Sequence, residues 1–524
     1  MSYDAIVIGG GHNGLVCAAY LAKVGRRILV LEASNQLGGA ARTGEIAPGF
    51  KVSTCAHLLH LLHPKVMADL ALGSHGLSYS AADMPTVALS EDGRNLTLPS
   101  DPGAAGAPIA PHSAADAAAY PKLRERLQRF AETLQPFLGK TPPRLAGGDW
   151  SDRMTLIKLG WSIRRLGRDD MREFLCVVGM NVADLLEDEL ESELLRGALA
   201  FDAVLGTHLG PRSPNSVLTL LYRLAGEVGG KRGAIAHPRG GMGAVTAALA
   251  SAAKAAGAEM RTGAAVARIQ VEGDRATGVE LENGETIAAR CVISNADPRR
   301  TFLDLLGAAH LDTGFVRRVG NIRMRGDAAK LNLALDGLPS FKGLSESELG
   351  GRLLIAPSIG YVERAFDHAK YGEYSEAPAI EITLPSVHDA SLAPEGKHVL
   401  SAVIQYAPYR LKEGWDEARE ACAERAIRTI AAYAPDLPGK IVARELLTPL
   451  DLERDFNMTG GHWHHGELAI DQMLMLRPVP GAAQYAAPLP GLYLCGAGAH
   501  PGGGVMGAAG MNAAQQVIAM EAAA

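Results

Sequence analysis

Short apolar runs that alternate with glycine turns mark both ends of this chain. Residues 5–8 predict a buried strand, a helix is expected to open at about His12, and residues 27–31 predict a second buried strand. Residues 492–496 form another apolar run, and after a glycine loop a helix is expected from about 503 to 520. Fully apolar strands that alternate with helices indicate an α/β fold with a parallel sheet.

The middle of the chain follows two other patterns. Apolar residues recur at helical spacing between 154 and 195, so residues 76–235 are predicted to form a mostly helical insertion. The α/β pattern then resumes with a helix over 244–256 and strands over 259–262, 265–271, 276–281 and 291–295. Residues 301–480 mix strands with helices, such as strands over 330–335 and 398–405 and a helix over 417–433.

These patterns predict a discontinuous nucleotide-binding domain of the Rossmann type, built from residues 1–75, 236–300 and 481–524. A substrate-binding α+β domain, carrying the helical insertion, is expected from residues 76–235 and 301–480. No sequence repeat is apparent.

The first glycine turn carries a dinucleotide fingerprint, Gly9-x-Gly11-x-x-Gly14, between a predicted strand and a predicted helix. Gly9 permits the tight turn, Gly11 permits backbone approach to a pyrophosphate, and Gly14 permits close packing of helix on strand. His12 and Asn13 open the helix, whose N-terminal N–H groups favour phosphate. Glu32 ends the second strand, where a carboxylate accepts hydrogen bonds from ribose hydroxyls.

Two later glycine clusters are further candidates for cofactor binding. Gly38, Gly39, Ala40, Arg42 and Thr43 form a loop shortly after Glu32, and Arg42 is expected to neutralise the pyrophosphate. The second cluster again follows a buried strand, and its helix terminus would stabilise a reduced, anionic flavin. Its candidate residues are Gly496, Gly498, Gly503, Gly504 and Val505. For each cluster, a glycine turn without a ligand is the alternative.

Composition narrows the function further. The formal charge is −6 and aromatic residues make up 5% of the chain, which argues against nucleic acid as a partner. The six cysteines form no Cys-x-x-Cys pair, as expected for reduced thiols in the cytoplasm, and no secretory signal or membrane span is apparent. No second dinucleotide fingerprint occurs, so we expect substrate oxidation with an external electron acceptor rather than reduction by NADPH.

Five motifs in this order resemble the phytoene-desaturase-type FAD oxidoreductases. They are the N-terminal fingerprint, Gly-Gly-Ala-Ala-Arg-Thr at 38–43, His-Pro-Arg-Gly-Gly-Met-Gly at 237–243, Ile-Ser-Asn-Ala-Asp-Pro at 293–298 and Gly-Ala-Gly-Ala-His-Pro-Gly-Gly-Gly at 496–504. Within that group the chain is most similar to the pyridine nucleotide-disulphide oxidoreductase domain proteins. The resemblance implies FAD, the glutathione-reductase-like fold shared with amine oxidases, and a place for Val266 beside the adenine. It leaves the substrate open.

Four side chains are the catalytic candidates. His500 lies inside the last glycine loop. Lys330 enters an apolar strand, and in amine oxidases a lysine in a similar strand holds a water at flavin N5; a strand-edge lysine that reaches solvent is the alternative. His464 belongs to the segment 462–467, which is interpreted as an active-site wall or a structural loop. His57, His60 and His63 fall on one face of a possible helix and are interpreted as structural, and His57 is the one of the three that is most expected to face the substrate. No metal site is expected.

The sequence thus predicts an FAD-dependent oxidoreductase that transfers hydride from a C–H bond of an apolar, lipid-like substrate to flavin N5, with oxygen or a quinone as acceptor. An amine oxidase that uses Lys330, and a flavin-stabilised interaction protein with little turnover, are the alternatives. Lys158, Arg164, Arg165 and Arg168 surround Ile157, Trp161 and Ile163, which is typical of a solvated helix or of peripheral contact with the inner membrane face. The oligomeric state is not predicted.

Overall fold

The computed structural model describes residues 2–144 and 147–523. The strands are β1 Tyr3–Ile8, β2 Ile28–Leu31, β3 Thr43–Ala47, β4 Phe50–Ser53, β5 Tyr79–Ala81, β6 Thr86–Ala88, β7 Leu96–Leu98, β8 Glu227–Val228, β9 Lys231–Arg232, β10 His237–Pro238, β11 Glu259–Arg261, β12 Val266–Glu272, β13 Arg275–Leu281, β14 Thr286–Ser294, β15 Ala328–Leu335, β16 Arg352–Ile355, β17 Ala379–Thr383, β18 His398–Gln405, β19 Ile441–Leu447 and β20 Leu492–Leu494.

The helices are α1 His12–Lys23, α2 Pro64–Asp69, α3 Gly106–Ile109, α4 Ala114–Leu138, α5 Trp150–Arg164, α6 Arg168–Val177, α7 Val182–Glu189, α8 Glu193–Val204, α9 Ser216–Leu224, α10 Gly243–Ala255, α11 Thr313–Gly320, α12 Ile359–Lys370, α13 Trp415–Ala431, α14 Pro449–Phe456 and α15 Ala508–Ala523. A π-helical turn spans Arg300–Leu305. In the part of the chain that the structure describes, no helix is both long and apolar enough to cross a bilayer.

The first sheet has the strand order β11-β2-β1-β14-β13-β12, and β20 pairs with β14. The strands β1, β2, β11, β20 and the end of β14 run parallel, with Ala5 opposite Ile28 and Cys291. β1, β2 and β20 are apolar along most or all of their length, as expected for strands covered on both faces. Helix α1 contacts both α10 and α15 beside this sheet. The α/β class predicted from the sequence is confirmed.

The second sheet has the order β19-β15-β18-β17-β16-β6-β7 and is antiparallel apart from the β6–β16 pair. Its strands come from residues 86–98 and 328–447. Helices α3 to α9 follow β7 in the chain, over residues 106–224, and they share an apolar core with β6, β7 and β16. The insertion predicted over 76–235 begins with the strands β5 to β7, ends with β8 and β9, and is helical between them.

Two helix predictions were wrong. Residues 57–63 form an irregular segment in which Leu59 bridges to Ala236, so His57, His60 and His63 do not share a helical face. The last helix begins at Ala508 rather than at about 503. Gly504, Val505 and Gly507 all have positive φ, which a right-handed helix does not permit.

Candidate active site

The glycine turn after β1 has the geometry that its spacing predicts. Gly9 adopts a φ of +96°, which favours glycine. A Cβ on Gly14 would lie 2.2 Å from the carbonyl oxygen of Gly9, so α1 can pack on the turn only because that side chain is absent. A Cβ on Gly11 would lie 2.9 Å from Nδ2 of Asn295. The turn thus opens onto a cleft that a side chain at Gly11 would narrow.

The cofactor cleft, as we call the cavity at this turn, encloses about 1070 Å³. Glu32 lines it and is held by backbone donors: Oε2 accepts from the N–H of Gly10 at 2.7 Å, and Oε1 accepts from that of Ser34 at 2.9 Å. Val266 lies on the same cleft. The sequence-predicted residues that line it are Gly9, Gly11, His12, Asn13, Glu32, Gly38, Gly39, Ala40, Arg42 and Val266.

The second loop contributes a cation. The guanidinium of Arg42 lies 4.4 Å from the centre of the Phe456 ring, and among the described residues no salt bridge to Arg42 is formed. An unpaired arginine at a cleft wall suits a pyrophosphate. Thr43 does not line the cleft, contrary to expectation, because its hydroxyl donates to the carbonyl of Gly240 and accepts from the N–H of Gly243. Thr43 therefore positions the loop.

Two polar atoms at the helix opening favour a ligand in the cofactor cleft. Nε2 of His12 and Oδ1 of Asn13 are buried without a hydrogen-bond partner among the described residues. Burial lowers the pKa of His12 to about 4, so its imidazole is neutral at pH 7. Unpartnered buried polar atoms cost stability unless a ligand satisfies them. Together with the helix N-terminus and Arg42, they fit a cofactor that carries a pyrophosphate.

The third glycine cluster serves two purposes. Ala497 lines the cofactor cleft, whereas Gly504 and Val505 line a neighbouring cavity. Gly496, Gly498 and Gly503 line neither cavity. Added Cβ atoms there would lie 2.5 Å from the Asn295 oxygen, 2.3 Å from Pro298 and 2.5 Å from His464, respectively. These three glycines are needed for close packing, and their assignment as cofactor contacts stays a prediction.

That neighbouring cavity, which we call the apolar cavity, encloses about 1000 Å³. It shares His12, Ala40 and Trp463 with the cofactor cleft. Its apolar walls come from several parts of the chain: Ala56, Leu58, Leu61, Leu205, Val403, Leu468 and Val505. An apolar space that adjoins the cleft of a nucleotide cofactor is the default place for substrate.

Buried, neutral imidazoles line the apolar cavity. Nε2 of His57 lies 2.7 Å from Oε1 of Glu381, and burial lowers the pKa of His57 to about 4. Burial also places the pKa values of His60 and His464 well below 6.5. His57, His60 and His464 thus all lie where a substrate would bind, although the sequence pattern favours a structural role for His57 and His60. His63 instead caps α2 by accepting from the N–H of Lys65.

His500 lies elsewhere. It is 1% exposed, its Nε2 lies 2.9 Å from the carbonyl oxygen of Phe137, and its own carbonyl accepts from the Tyr485 hydroxyl. It lines neither the cofactor cleft nor the apolar cavity. The expectation that His500 is the histidine beside the reacting ring is therefore corrected: its contacts join α4 to the C-terminal loop.

Lys330 is buried in the interior of the second sheet. Its strand β15 lies between β18 and β19, and the side chain is 2% exposed, which excludes the alternative of a strand-edge lysine in solvent. Its Nζ has no hydrogen-bond partner among the described residues. Burial lowers its pKa to about 7, although Cys55 and Glu381, which both line the apolar cavity, favour the charged form.

Arg477 ties the histidine segment 462–467 to the C-terminal glycine loop. Its guanidinium is 1% exposed and, without a carboxylate partner among the described residues, donates only to carbonyl oxygens. The acceptors are Ala497, His464, Gly466, Glu467 and Gln472. Arg477 therefore fixes the backbone that carries Trp463 and His464 into the cavities.

Four charged residues at the wall of the apolar cavity were missed in the sequence. Arg352 bonds to Glu381, and its Nη2 donates to Oδ1 of Asp202 at 2.6 Å. Arg223 lies 3.3 Å from the same Asp202 oxygen. Asp202, Arg223 and Glu381 are charged residues within apolar runs, the same signal that singled out Lys330, so this signal could have found these three.

Comparison with known proteins agrees with this geometry. The model of the flavin containing amine oxidoreductase family matches residues 14–518. The pyridine nucleotide-disulfide oxidoreductase domain-containing protein 2 of Rattus norvegicus is 39% identical, over 98% of this chain and 93% of that protein. A limonene dehydrogenase chain of Castellaniella defragrans is 27% identical, over 98% and 94%, and a lycopene-forming phytoene desaturase of Pantoea ananas is 26% identical, over 63% and 64%. A putrescine oxidase structure covers all of both chains at a TM-score of 0.59 and 15% identity, which supports the fold.

Proposed function

This chain belongs to the family of flavin-containing amine oxidoreductases, and we propose on that premise that it oxidises a largely apolar, lipid-like substrate. It is an FAD-dependent oxidoreductase, which confirms the cofactor predicted from the sequence. When bound, FAD supplies an acceptor for hydride from a substrate C–H bond. The electrons then pass to an external acceptor, oxygen or a quinone.

The observation that carries this proposal is the apolar cavity beside the cofactor cleft. Most of its wall surface is apolar, and the histidines that line it are neutral because burial lowers their pKa values. The protein's own contribution is then to orient the substrate and to exclude water. Trp463, shared by both cavities, would align the substrate with the cofactor. Two relatives whose names refer to hydrocarbon oxidation, limonene dehydrogenase and phytoene desaturase, support an apolar substrate.

The second candidate is an amine oxidase, and Lys330 is the observation that favours it. A buried lysine with a pKa of about 7 and an unpartnered Nζ is able to hold a water molecule or a proton close to the cavity. However, an amine substrate would need a counter-charge in the cavity, and the carboxylates of Asp202 and Glu381 are already paired with Arg352.

Anaerobic mixing distinguishes these functions. The purified flavoprotein is mixed with a polyene, an acyl compound or a primary amine, and the flavin absorbance is followed. Bleaching by the polyene or acyl compound, retained in Lys330→Met, is the expected result. Bleaching by the amine alone, lost in Lys330→Met, would establish the amine oxidase instead. No bleaching by any class would leave the third alternative, an interaction protein with little turnover.

We further propose that α5 brings this protein to an anionic membrane surface, the source of an apolar substrate. None of its side chains is buried, and Trp150, Ile157 and Trp161 are 70%, 57% and 64% exposed. With Met154 these residues follow the spacing i, i+4, i+7, i+11 and form one stripe. Arg153, Lys158, Arg164 and Arg165 flank the stripe on both sides, and such a face matches anionic headgroups.

Vesicle flotation tests the membrane proposal. The protein is expected to float with phosphatidylglycerol vesicles and not with phosphatidylcholine vesicles, and Trp161→Ser should reduce flotation. Tyr371→Ser is the control, since Tyr371 is 76% exposed on a different helix end. Equal flotation of both variants, or no flotation of the wild type, would contradict a role for α5.

A further inference from the structure

Part of the wall of the apolar cavity is formed by a balanced cluster of charges. The charge cluster consists of Asp202 on α8, Arg223 on α9, Arg352 on β16 and Glu381 on β17. Arg352 lies behind the wall, 0% exposed, and bonds to both carboxylates. Arg223 lies 3.3 Å from Asp202 through Nε and 3.8 Å from Glu381 through Nη2. Two guanidinium groups thus balance two carboxylates.

The front of this cluster faces open space on two sides. Asp202, Arg223 and His60 line both the apolar cavity and a second cavity of about 790 Å³, which has Tyr120 and Leu220 in its wall. Of the four charged residues, Arg352 alone lines neither cavity. A ligand in the apolar cavity can therefore contact three charged residues of the cluster, Asp202, Arg223 and Glu381.

Several polar atoms in this part of the wall lack partners among the described residues. Nη2 of Arg223 is buried without a hydrogen-bond acceptor. The hydroxyl of Thr219, one turn earlier on α9 and 5% exposed, has no partner and lines the apolar cavity. Nδ1 of His60 is likewise unpartnered. Each unsatisfied buried group costs about 1–3 kcal/mol, which a ligand atom of matching polarity would recover.

Charge balance decides what kind of ligand atom fits. The charge cluster is neutral as a whole, so a carboxylate or an ammonium group placed against it would be a buried charge without compensation. A hydroxyl oxygen can accept from Arg223 while its proton is donated to Asp202, and both arginine contacts to Asp202 use Oδ1. We infer that Arg223, Asp202 and Thr219 bind a neutral hydroxyl group at one end of the apolar substrate.

This inference rests on the proposed function, and a binding measurement without turnover tests it separately. Oxidised flavoprotein is titrated with dodecane, dodecanol, dodecanoate and dodecylammonium, and the shift in flavin absorbance gives each Kd. At pH 8.5 the neighbouring Lys330 is mostly neutral. Dodecanol is expected to bind about tenfold more tightly than the other three, the effect of one recovered hydrogen bond.

Charge-changing variants sharpen the test. Arg223→Met leaves the cluster with one excess negative charge and should shift the preference to dodecylammonium. Asp202→Asn leaves one excess positive charge and should shift it to dodecanoate. Arg290→Met, at a side chain that is 69% exposed, should preserve the wild-type order. If the cluster variants do not fold, the wild-type ranking still decides.

The outcomes separate the two claims. A wild-type preference for dodecane, dodecanoate or dodecylammonium, or equal binding of all four compounds, would overturn the hydroxyl site while the apolar cavity remains the place of binding. Binding of none of them, together with no bleaching by apolar compounds in the anaerobic experiment, would overturn the proposed function itself.

Discussion

Replacing Lys330 by methionine should stabilise this protein, and the gain should depend on pH. The side chain is 2% exposed, and burial lowers its pKa from 10.5 to about 7. Each unit of pKa difference between the folded and unfolded states corresponds to about 1.36 kcal/mol. The buried ammonium therefore lowers the free energy of unfolding by about 5 kcal/mol at pH values below 7.

The sign follows from proton binding. Between pH 7 and 10.5 the unfolded chain holds the Lys330 proton and the folded protein does not, so the stability of the wild type rises with pH across this window. Lys330→Met lacks this dependence and keeps a straight side chain of similar length. The free energy of unfolding of Lys330→Met should therefore exceed that of the wild type by about 3 kcal/mol at pH 8 and by about 1 kcal/mol at pH 10.

Guanidinium denaturation at both pH values, with saturating FAD and tryptophan fluorescence as the signal, measures this difference. Lys254→Met on the exposed face of α10 is the control and should change stability by less than about 0.5 kcal/mol at either pH. A gain that does not vary with pH, or a less stable Lys330→Met at both values, would refute the burial of a neutral lysine.

Three further predictions concern the cofactor cleft and its supports. Gly14→Ala would force a Cβ to 2.2 Å from the Gly9 oxygen, so we expect the free energy of unfolding to fall by about 1–3 kcal/mol and flavin to appear in the filtrate when the protein is ultrafiltered. Gly320→Ala, whose Cβ would meet nothing within 4 Å, is the control and should change neither. Arg42→Met should raise the Kd for FAD about tenfold and flatten its salt dependence in calorimetric titrations; an unchanged salt dependence would argue against a pyrophosphate contact. Arg477→Met leaves buried carbonyl oxygens without donors, so we expect the free energy of unfolding, measured by thermal denaturation, to fall by about 3 kcal/mol or more. A variant as stable as the wild type would show that water replaces the guanidinium.

The nucleotide-binding half could be read from local patterns. The run before Gly9, the helix at His12 and the second strand ending near Glu32 are all present, because buried parallel strands and tight glycine turns leave a strong signal over a few residues. The start of α15 was predicted too early because Val505 has a positive φ, which ends any helix at that point. Valine rarely adopts such a φ, so the sequence does not reveal it.

The charge cluster beside the apolar cavity could not be predicted from the sequence. Asp202 and Arg352 are 150 residues apart, and nothing local indicates that α8 and β16 bring them together. His500 lies in the C-terminal glycine motif, yet its imidazole contacts the carbonyl oxygen of Phe137, 363 positions away in the chain. The motif therefore predicted the position of the C-terminal glycine loop, whereas the direction of the His500 side chain depends on tertiary packing that the motif does not contain.

One single-turnover experiment tests the central claim, that an apolar molecule in the cavity is oxidised by this flavoprotein. Protein in slight excess is mixed anaerobically with an apolar polyene, and the flavin absorbance is recorded during the reaction. The polyene is then recovered, and its mass is measured by mass spectrometry. We expect a product lighter by two hydrogens, in an amount equal to that of the flavin bleached. A polyene recovered unchanged while amines bleach the flavin would contradict this claim.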